Sequence, residues 1–391
     1  MNAIVENCPV CDSPVSDVFM EIPSIPVFCN VLCESQAAAR SVPRRSLQLG
    51  LCRACSHIFN VAFEPALMTY TEEYENSLDF SPRYQRYILH LASGLVRRHH
   101  LKGKCILELG CGQGRFLGLL CRRAEAHGIG IDPGYRCVDG DLARAGVDIR
   151  FISDCYGDRY ASLGADFVCC RHMLEHVPNP RVILSGVWAA IAQRPGAGVY
   201  FEVPNARATF SHLAVWDLIY EHFSYFTRHS LARLFLECGF RVLHLRENYG
   251  AQFLAIEAAP RSAVRQQTQV PQKFRCLIRE FPNRYRQKTT FWRDFLVRGG
   301  RRGRRIVVWG AGSKGTTFLN ILGFDSGIEY VVDSNPAKQN KFLAGAGQMI
   351  VHPEFLREYR PDLIIIMNKI YEAEIRHHVN GLNISPDFLC A

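Results

Sequence analysis

The sequence predicts an α/β protein with a doubly wound sheet, a small cysteine-rich lobe before it and a second, Rossmann-like α/β unit after it. Short apolar runs alternate with helical stretches between residues 100 and 258, as in parallel sheets covered by helices. Two Cys-x-x-Cys pairs lie near the start, and a second strand, glycine-rich turn and helix begin at residue 305. The predicted units are 1–65 (lobe), 66–258 (central domain), 259–304 (basic helical connector) and 305–391 (C-terminal unit).

Composition narrows the class of protein. The chain has 391 residues, of which 48% are hydrophobic and 21% charged, as in a globular protein with more than one core. No apolar segment follows the N-terminus and no run of eighteen apolar residues occurs, so we expect neither secretion nor a membrane-spanning segment. The 16 cysteines lie mostly in apparent core strands, which indicates reduced thiols and a cytoplasmic location.

Charge is concentrated in one segment. The net charge is +9, and residues 261 to 305 contain 14 basic residues against two acidic ones. The basic side chains alternate with aromatic ones, as in an amphipathic helix that packs its aromatic side inward. The segment is explained by a solvated basic face or by a phosphate-binding surface, and the rest of the chain lacks the charge of a nucleic-acid-binding surface.

The N-terminal lobe carries a metal-site pattern. Two Cys-x-x-Cys knuckles some forty residues apart can present four thiolates to one tetrahedral ion, which stabilises a lobe with little core. A redox pair and an iron–sulfur site are the alternatives. Cys29 and Cys33 lie between the knuckles, but their spacing fits a knuckle less well. We therefore predict a structural zinc ion bound by Cys8, Cys11, Cys52 and Cys55.

The central domain opens with a glycine-rich turn. The apolar run from Cys105 to Leu109 indicates a buried strand; Gly110, Gly112 and Gly114 follow it, and a helix begins at Arg115. Glycines there let the backbone approach a ligand closely, and N–H groups at the helix start point towards it. Taken alone, the turn also fits a structural turn in another α/β fold, whereas NAD sites more often have Gly-x-Gly-x-x-Gly.

Two acidic residues near strand ends make the glycine-rich turn a more specific indication of a ligand site. Glu108 ends the first strand, where it can face an ammonium group, and Asp132 follows the second strand, placed to hold two ribose hydroxyls. The pattern resembles motif I of class I S-adenosylmethionine (SAM) methyltransferases. That resemblance implies SAM as cofactor and an adenine contact for Asp154, after the third strand. The predicted strands are Cys105–Leu109, His127–Ile131, Asp148–Ile152, Asp166–Cys170, Val199–Val203, Arg241–Leu245 and Gln252–Glu257.

The loop after the fourth strand lies at the carboxyl end of a central strand, where ligands bind in open α/β sheets. We therefore assign Arg171 and His172 to the cofactor site, and His176 in the same loop to proton handling. The loop has neither the Asp/Asn-Pro-Pro-Tyr/Phe motif of adenine-N6 DNA methyltransferases nor a Pro-Cys nucleophile. This disfavours a DNA base as the substrate.

A second cluster, residues 216 to 226, contains Tyr220, Glu221 and His222 among aromatic side chains. Histidine is the side chain whose ordinary pKa allows proton abstraction near neutrality, although single histidines are more often structural. Residues 66 to 82, which include Tyr70 and Tyr74, read either as a connecting segment or as a flap over the substrate.

Taken together, the three units resemble the three-domain sugar C-methyltransferases of deoxysugar pathways. The resemblance covers nearly the whole chain, and it is specific only as a combination of motifs. It rests on the cysteine lobe, on Glu221, His222, Tyr225 and Phe226, and on the C-terminal residues Gly310, Ala311, Lys314, Gly315, Asp333, Lys338, Asn368 and Glu374.

The resemblance implies methylation of a carbon next to a ketone in a nucleotide-linked keto-deoxysugar, in secondary-metabolite or surface-glycan sugar biosynthesis. His222 would take the proton, with Tyr220, Glu221 and His176 in support. The C-terminal turn would serve the nucleotide-sugar side or the fold, rather than NAD. We expect a small-molecule substrate, no membrane or nucleic-acid partner, and a monomer or weak dimer.

Two departures from the family leave alternatives open. The family run is usually Tyr-His-Glu-His, whereas this chain has Tyr220-Glu221-His222 with one residue fewer, and Asn76 stands where the family's flap tends to have a second tyrosine. The alternatives are O- or N-methylation of another small molecule, an RNA methyltransferase, a protein that holds SAM without turnover, and an NAD-linked enzyme.

Overall fold

The computed structural model describes residues 5–14, 17–68, 74–136, 146–261, 272–323 and 327–391. Tyr70 of the proposed flap lies outside these residues. The described strands are β1 (Asp17–Pro26), β2 (Leu32–Cys33), β3 (Arg44–Leu51), β4 (Ile58–Asn60), β5 (Cys105–Leu109), β6 (His127–Ile131), β7 (Ile149–Ile152), β8 (Phe167–Arg171), β9 (Gly198–Pro204), β10 (Ser224–Tyr225), β11 (Phe240–Asn248), β12 (Phe253–Pro260), β13 (Ile306–Trp309), β14 (Tyr330–Val332), β15 (Phe342–Leu343), β16 (Met349–Val351), β17 (Leu363–Ile366) and β18 (Asp387–Cys390).

Helices connect most of these strands. They are α1 (Gln36–Arg40), α2 (Pro82–Arg98), α3 (Arg115–Ala124), α4 (Pro180–Ile191), α5 (Ala206–Ser211), α6 (Arg228–Glu237), α7 (Gln272–Arg301), α8 (Ser313–Leu322), α9 (Leu356–Tyr359) and α10 (Glu372–Asn380). Among the described residues, no helix combines the length and the apolar character needed to cross a membrane.

The central sheet has the strand order β11-β12-β9-β8-β5-β6-β7. Its strands are parallel except for β12, which runs antiparallel to both β9 and β11. This confirms the predicted doubly wound sheet with a final hairpin. The strand order reverses direction at β5, because β6 lies on one side of it and β8 on the other. Ligands bind at the carboxyl ends of strands beside such a reversal.

β5 is buried because its alternate side chains pack into apolar clusters on both faces of the sheet. Leu107 and Leu109 pack into one cluster of apolar residues, whereas Ile106 packs on the opposite face with Phe116 and Leu120 of α3. A strand covered by helices on both faces has apolar residues in succession rather than in alternation. The predicted limits of β5 and β6 are confirmed to the residue, and the other five predicted strands differ from the observed ones by one to three residues at their ends.

The N-terminal lobe interlocks with both α/β units. Its sheet has the order β1-β3-β4-β10, and β10 comes from the segment that also carries His222. In that pairing Ser224 lies opposite Phe59 and Tyr225 opposite Ile58. In the other direction, β2 leaves the lobe and pairs antiparallel with β15 of the C-terminal sheet. The lobe is therefore joined to both α/β units by main-chain hydrogen bonds.

The C-terminal unit is a second α/β sheet, as predicted, with the order β18-β17-β13-β14-β16-β15-β2. Its first strand, β13, is parallel to β14 and β17 and leads through a glycine-rich turn into α8. Residues 272–301 of the basic segment form α7. Its Phe281 and Trp292 are buried, as predicted for the inward aromatic side, whereas Phe291 is 55% exposed.

Candidate active site

The first glycine-rich turn has the backbone that close approach to a ligand requires. Gly110, Gly112 and Gly114 have φ angles of 65°, 53° and 75°, in the left-handed region where a side chain is strained. A Cβ on Gly110 would lie 2.7 Å from the Cβ of Met173, so this position has no room for one. The loop after β8, which contains Met173, is thus in contact with the turn.

Glu108 is a buried acid whose carboxylate is only partly hydrogen-bonded by the described residues. Its side chain is 3% exposed, and its Oε2 has no hydrogen-bond partner among the described residues. Burial raises the pKa of Glu108 to about 8, although the nearby charge of Arg171 acts in the opposite direction. A buried carboxylate with an unpaired oxygen beside a glycine-rich turn fits the ammonium group of SAM, so the residues present suit this cofactor.

Two further acids lie at strand ends, as predicted. Asp132 accepts hydrogen bonds from the N–H groups of Gly112 and Gly134, each at 2.8 Å, which fixes the carboxylate beside the turn. Asp154 accepts from the N–H of Cys155 at 2.8 Å and is also bound by the side chains of Arg159 and Tyr160. Asp132 is therefore aligned with the turn, whereas Asp154 is held by its own segment.

The side chain of Arg171 is a buried structural group. Its Nε donates to Glu202 Oε1 at 3.2 Å, its Nη2 donates to the Tyr84 hydroxyl at 3.0 Å, and its guanidinium lies 4.4 Å from the centre of the Phe116 ring. Arg171 thus ties β8 to α2, β9 and the first turn of α3. Arg171 therefore packs against the first turn of the helix that follows the glycine-rich turn.

His172 sits between two buried carboxylates. Its φ is 54°, unusual for a non-glycine residue, and its Nε2 and Nδ1 lie 3.3 Å from Glu202 Oε1 and 3.8 Å from Glu175 Oε1. Burial alone would lower the pKa of His172, but the adjacent carboxylates of Glu175 and Glu202 raise it overall. The ring is therefore biased towards its cationic form.

His176 and His222 form a pair. Their ring centres are 5.0 Å apart with the planes at 79°, and His176 Nδ1 donates to the carbonyl oxygen of Glu221 at 3.1 Å. Burial, followed by the positive charges of His176, His172 and Lys314, holds the pKa of His222 well below its usual value. His222 is thus a neutral imidazole, the form that can accept a proton.

The other two predicted catalytic side chains turn towards the N-terminal lobe. The Tyr220 hydroxyl accepts from the Glu64 N–H at 2.9 Å and donates to the Ala62 carbonyl at 3.3 Å. The Glu221 carboxylate accepts from the Cys29 N–H at 2.5 Å and from the Tyr74 hydroxyl at 2.7 Å. Both residues connect the lobe and the segment of Tyr74 to the histidine pair.

Two residues outside the predicted site stand beside the pair. Glu175, in a short 3₁₀ turn after β8, has a carboxylate oxygen within 4.8 Å of a ring nitrogen of both His176 and His222. Lys314 of the C-terminal turn is paired with Asp217 of the central domain. The adjacency of Glu175 to His176 was a usable signal in the sequence, whereas only the fold brings Lys314 here.

The turn that carries Lys314 is closely packed. A Cβ on Gly315 would lie 2.0 Å from the carbonyl oxygen of Gly310, so α8 can begin there only with glycine. The Ala311 N–H donates to Asp333 Oδ2 at 2.8 Å. Because Lys314 reaches Asp217, this turn lies against the central domain.

The four predicted zinc ligands come together. Their sulfur atoms all lie within 4.8 Å of one another, with 3.5 Å between Cys8 and Cys55 and between Cys11 and Cys52. Disulfide bonds would need about 2.05 Å, whereas Zn–S bonds of about 2.3 Å in a tetrahedron place sulfurs about 3.8 Å apart. The cluster fits a tetrahedral zinc ion with no open position.

Comparison with known proteins finds two matching regions along the chain. Residues 82–245 match the model of a methyltransferase domain, and residues 264–384 match that of a C-methyltransferase C-terminal domain. The chain is 27% identical over 292 residues to the C-methyltransferase NovU of Streptomyces niveus, covering 70% of this chain and 68% of that protein.

Other similarities are confined to part of the chain. It is 32% identical over 142 residues to the ubiquinone biosynthesis O-methyltransferase of Cronobacter sakazakii, covering 35% of this chain and 57% of that protein. The chain thus spans little more than half the length of that relative.

Solved structures similar to part of the chain include two methyltransferases. The 1,6-didemethyltoxoflavin-N1-methyltransferase of Burkholderia thailandensis has a TM-score of 0.37 at 16% identity, over 46% of this chain and 82% of that one. The magnesium protoporphyrin IX methyltransferase of Synechocystis PCC 6803 has a TM-score of 0.37 at 15% identity, over 48% and 89%.

The two family matches follow one another along the chain: the first runs from α2 into β11, and the second includes α7 and most of the C-terminal sheet. The chain therefore combines a methyltransferase domain with a C-methyltransferase C-terminal domain, and it is a SAM-dependent methyltransferase.

Proposed function

We propose that this enzyme transfers the methyl group of SAM to a carbon beside the ketone of a nucleotide-linked keto-deoxysugar, with His222 as the base. The observation that carries the proposal is the position of the His176–His222 pair. It lies between the cofactor turn, which touches the loop of His176 through Met173, and Lys314 of the C-terminal turn. In this proposal the base lies between the turn that would hold the methyl donor and a cation that can hold a substrate anion.

The chemistry needs little from the protein beyond orientation and a base. The ketone acidifies the adjacent C–H; His222 takes the proton, and the electron pair of the broken bond forms an enolate. The enolate carbon attacks the sulfonium methyl in line, and the electrons of the broken C–S bond remain on sulfur. Holding the two reactants in one geometry supplies much of the acceleration.

Tyr220, Glu221 and His176 support the base in this scheme. The carbonyl of Glu221 orients the His176 ring, and the Glu221 carboxylate holds Tyr74 and the Cys29 backbone. Tyr220 fixes the same segment through the backbone of residues 62 and 64. These contacts set where His222 lies without themselves transferring a proton.

The nucleotide part of the substrate would meet the C-terminal turn. Lys314 supplies a positive charge, and Asp217, its partner, is only partly buried, so the ammonium group can exchange that partner for a phosphate. The four cysteines would bind one structural zinc, which keeps the N-terminal lobe in place beside the cleft.

Incubation of the purified protein with SAM and a panel of nucleotide-linked 4-keto-6-deoxysugars tests the proposal, with mass spectrometry and NMR to locate the methyl group. We expect one sugar to gain a methyl group on the carbon next to its ketone. His222→Ala should abolish the reaction, whereas His229→Ala, a half-exposed histidine of α6 outside the cleft, should leave it unchanged.

Methylation of a hydroxyl group by the same assay would instead favour the O-methyltransferase alternative, which the similarity to the ubiquinone enzyme over 142 residues supports. Absence of methyl transfer to every member of the panel would contradict the sugar as substrate.

A further inference from the structure

We propose that Glu175 is the positioning residue of the base: its carboxylate faces the His176–His222 pair and stabilises the imidazolium that forms when His222 takes the substrate proton. This inference rests on the proposed function and assigns a role to a residue outside the predicted catalytic set. It makes Glu175, rather than Glu221, the counter-charge of the base.

The first reason is geometric. Glu175 is 1% exposed, yet its Oε2 has no hydrogen-bond partner among the described residues. One of its carboxylate oxygens lies within 4.8 Å of a ring nitrogen of His176 and of His222. A buried carboxylate costs free energy unless it is paired, so an unpaired oxygen beside two imidazoles indicates a partner that gains its charge during the reaction.

The second reason is the balance of charges around His222. Burial lowers the pKa of His222 most, and the positive charges that add to this effect belong to the loop after β8 and to Lys314 in the first turn of α8. Tyr225, whose ring centre is 5.8 Å away, donates its hydroxyl hydrogen to the Ile219 carbonyl. Without a nearby anion, protonation of His222 would add a further positive charge to a site that already holds several.

The carboxylates near the pair are not equivalent. Glu221 is engaged on both oxygens, by the Cys29 N–H and the Tyr74 hydroxyl, and Asp217 is paired with Lys314. Glu175 keeps one oxygen unengaged, and its other oxygen lies 3.8 Å from His172 Nδ1. His172 also contacts Glu202. Oε1 of Glu175 therefore faces His172, while its Oε2 has no hydrogen-bond partner among the described residues.

In this role Glu175 resembles the carboxylate that orients a catalytic histidine and stabilises its imidazolium form. The C–H bond breaks, its proton moves to His222, and its electron pair enters the enolate. Glu175 stays ionised throughout and accepts no proton. After methyl transfer, His222 loses its proton to solvent and the resting charges are restored.

The test is Glu175→Gln, which keeps the shape of the side chain and removes its charge. Solvent deuterium exchange at the carbon beside the ketone, measured with S-adenosylhomocysteine in place of SAM, reports the base alone. We expect exchange and methyl transfer to fall together by about 10²- to 10³-fold, in the range of general-base effects. The kinetic pKa of the base should also fall, because a neighbouring anion favours the protonated imidazole.

A merely structural role would not shift the pH profile of exchange. Glu175→Asp, which keeps the charge, should restore part of the rate and serves if the Gln variant fails to fold. Glu237→Gln, in the exposed ion pairs with Arg181 and Arg233, is the matched control and should behave as the wild type. SAM affinity should be unchanged in the Gln and Asp variants.

Three results would overturn the inference: wild-type exchange rates in both Glu175 variants, a loss of rate with an unshifted pH profile, or an activity that requires an added divalent cation bound by Glu175, His176 and His222. If the wild-type enzyme neither exchanges nor methylates a keto-sugar, the proposed function fails and the inference fails with it. If the wild-type enzyme exchanges deuterium and both Glu175 variants do so at the same rate, the role of Glu175 is refuted and the proposed function stands.

Discussion

The two glycine-rich turns share the same backbone hydrogen bonds to a strand-end aspartate, but they carry side chains of opposite charge. In the first, the Gly112 N–H donates to Asp132 Oδ2 at 2.8 Å; in the second, the Ala311 N–H donates to Asp333 Oδ2 at 2.8 Å. Each acid follows the second strand of its unit, and its other oxygen accepts from a backbone N–H two residues further along the chain. The strand–turn–helix framework is therefore common to both.

The difference lies in two side chains. The penultimate residue of the strand before the first turn is the buried Glu108, whereas Val308 occupies the corresponding place before Gly310. The second turn instead carries Lys314, which points to the central domain. The first turn thus suits a cationic ligand group and the second an anionic one. A shared fold fixes where a ligand can approach, and the side chains decide its charge.

Removal of the Glu108 charge should have the largest effect on the first turn. Because the carboxylate pairs with the SAM ammonium group in a buried site, Glu108→Gln should weaken SAM binding by about 100-fold or more, as expected for loss of a charged hydrogen bond. Isothermal titration calorimetry measures this directly. Asp333→Asn, the matched change at the second turn, should alter SAM affinity less than twofold. Equal weakening by both variants would contradict the division of roles.

Neutralisation of Lys314 should affect the other ligand. Lys314→Met removes the cation that we expect to meet the substrate's phosphates, so the KM for the nucleotide-linked sugar should rise by about 10- to 100-fold. The affinity for SAM, measured in the same preparation, should stay within twofold. Asp217→Asn, which frees the lysine, is expected to leave the KM unchanged or lower it. A rise in KM for SAM alone would reverse the assignment of the turns.

The pH dependence of SAM binding should follow Glu108. Its pKa of about 8 means that the free enzyme holds this carboxyl largely protonated at neutral pH, while the bound ammonium requires the carboxylate. SAM affinity should therefore rise by up to about tenfold per pH unit as the pH approaches 8, and level off above it. Glu108→Gln should bind weakly at every pH. Affinity that falls over this range would refute the proposed pairing.

The cysteine cluster should have the smallest effect on either turn. Cys8→Ser removes one of four ligands from a small lobe, so the melting temperature should fall by several degrees or more as metal binding is lost. SAM affinity should change less than twofold, because Glu108 and Gly110 lie in a separate sheet. Metal content by atomic emission and SAM titration check both points. A large loss of SAM affinity would show that the lobe shapes the cofactor site.

Local patterns in the sequence were sufficient for the first turn. The apolar run of β5, the three glycines and Asp132 are contiguous or one helix apart, and their geometry is set by backbone sterics and strand burial. The same holds for the cysteine pairs, whose spacing brings four sulfurs together.

Long-range packing decided what the sequence could not predict. The side chains of Tyr220 and Glu221 stand next to His222 in the chain, yet they bond to residues that precede them by more than 140 positions. Their direction depends on how β10 joins the N-terminal sheet, which no local pattern specifies. Lys314 reaches the cleft for a similar reason, since its place depends on the packing of two whole units.

The most direct test of the central claim, that His222 forms an enolate beside the bound cofactor, is solvent deuterium exchange into the keto-sugar with S-adenosylhomocysteine bound. The wild-type enzyme should place deuterium on the carbon next to the ketone, and His222→Ala should not, while still binding the cofactor product. Methyl transfer without exchange, or exchange by His222→Ala at the wild-type rate, would contradict it.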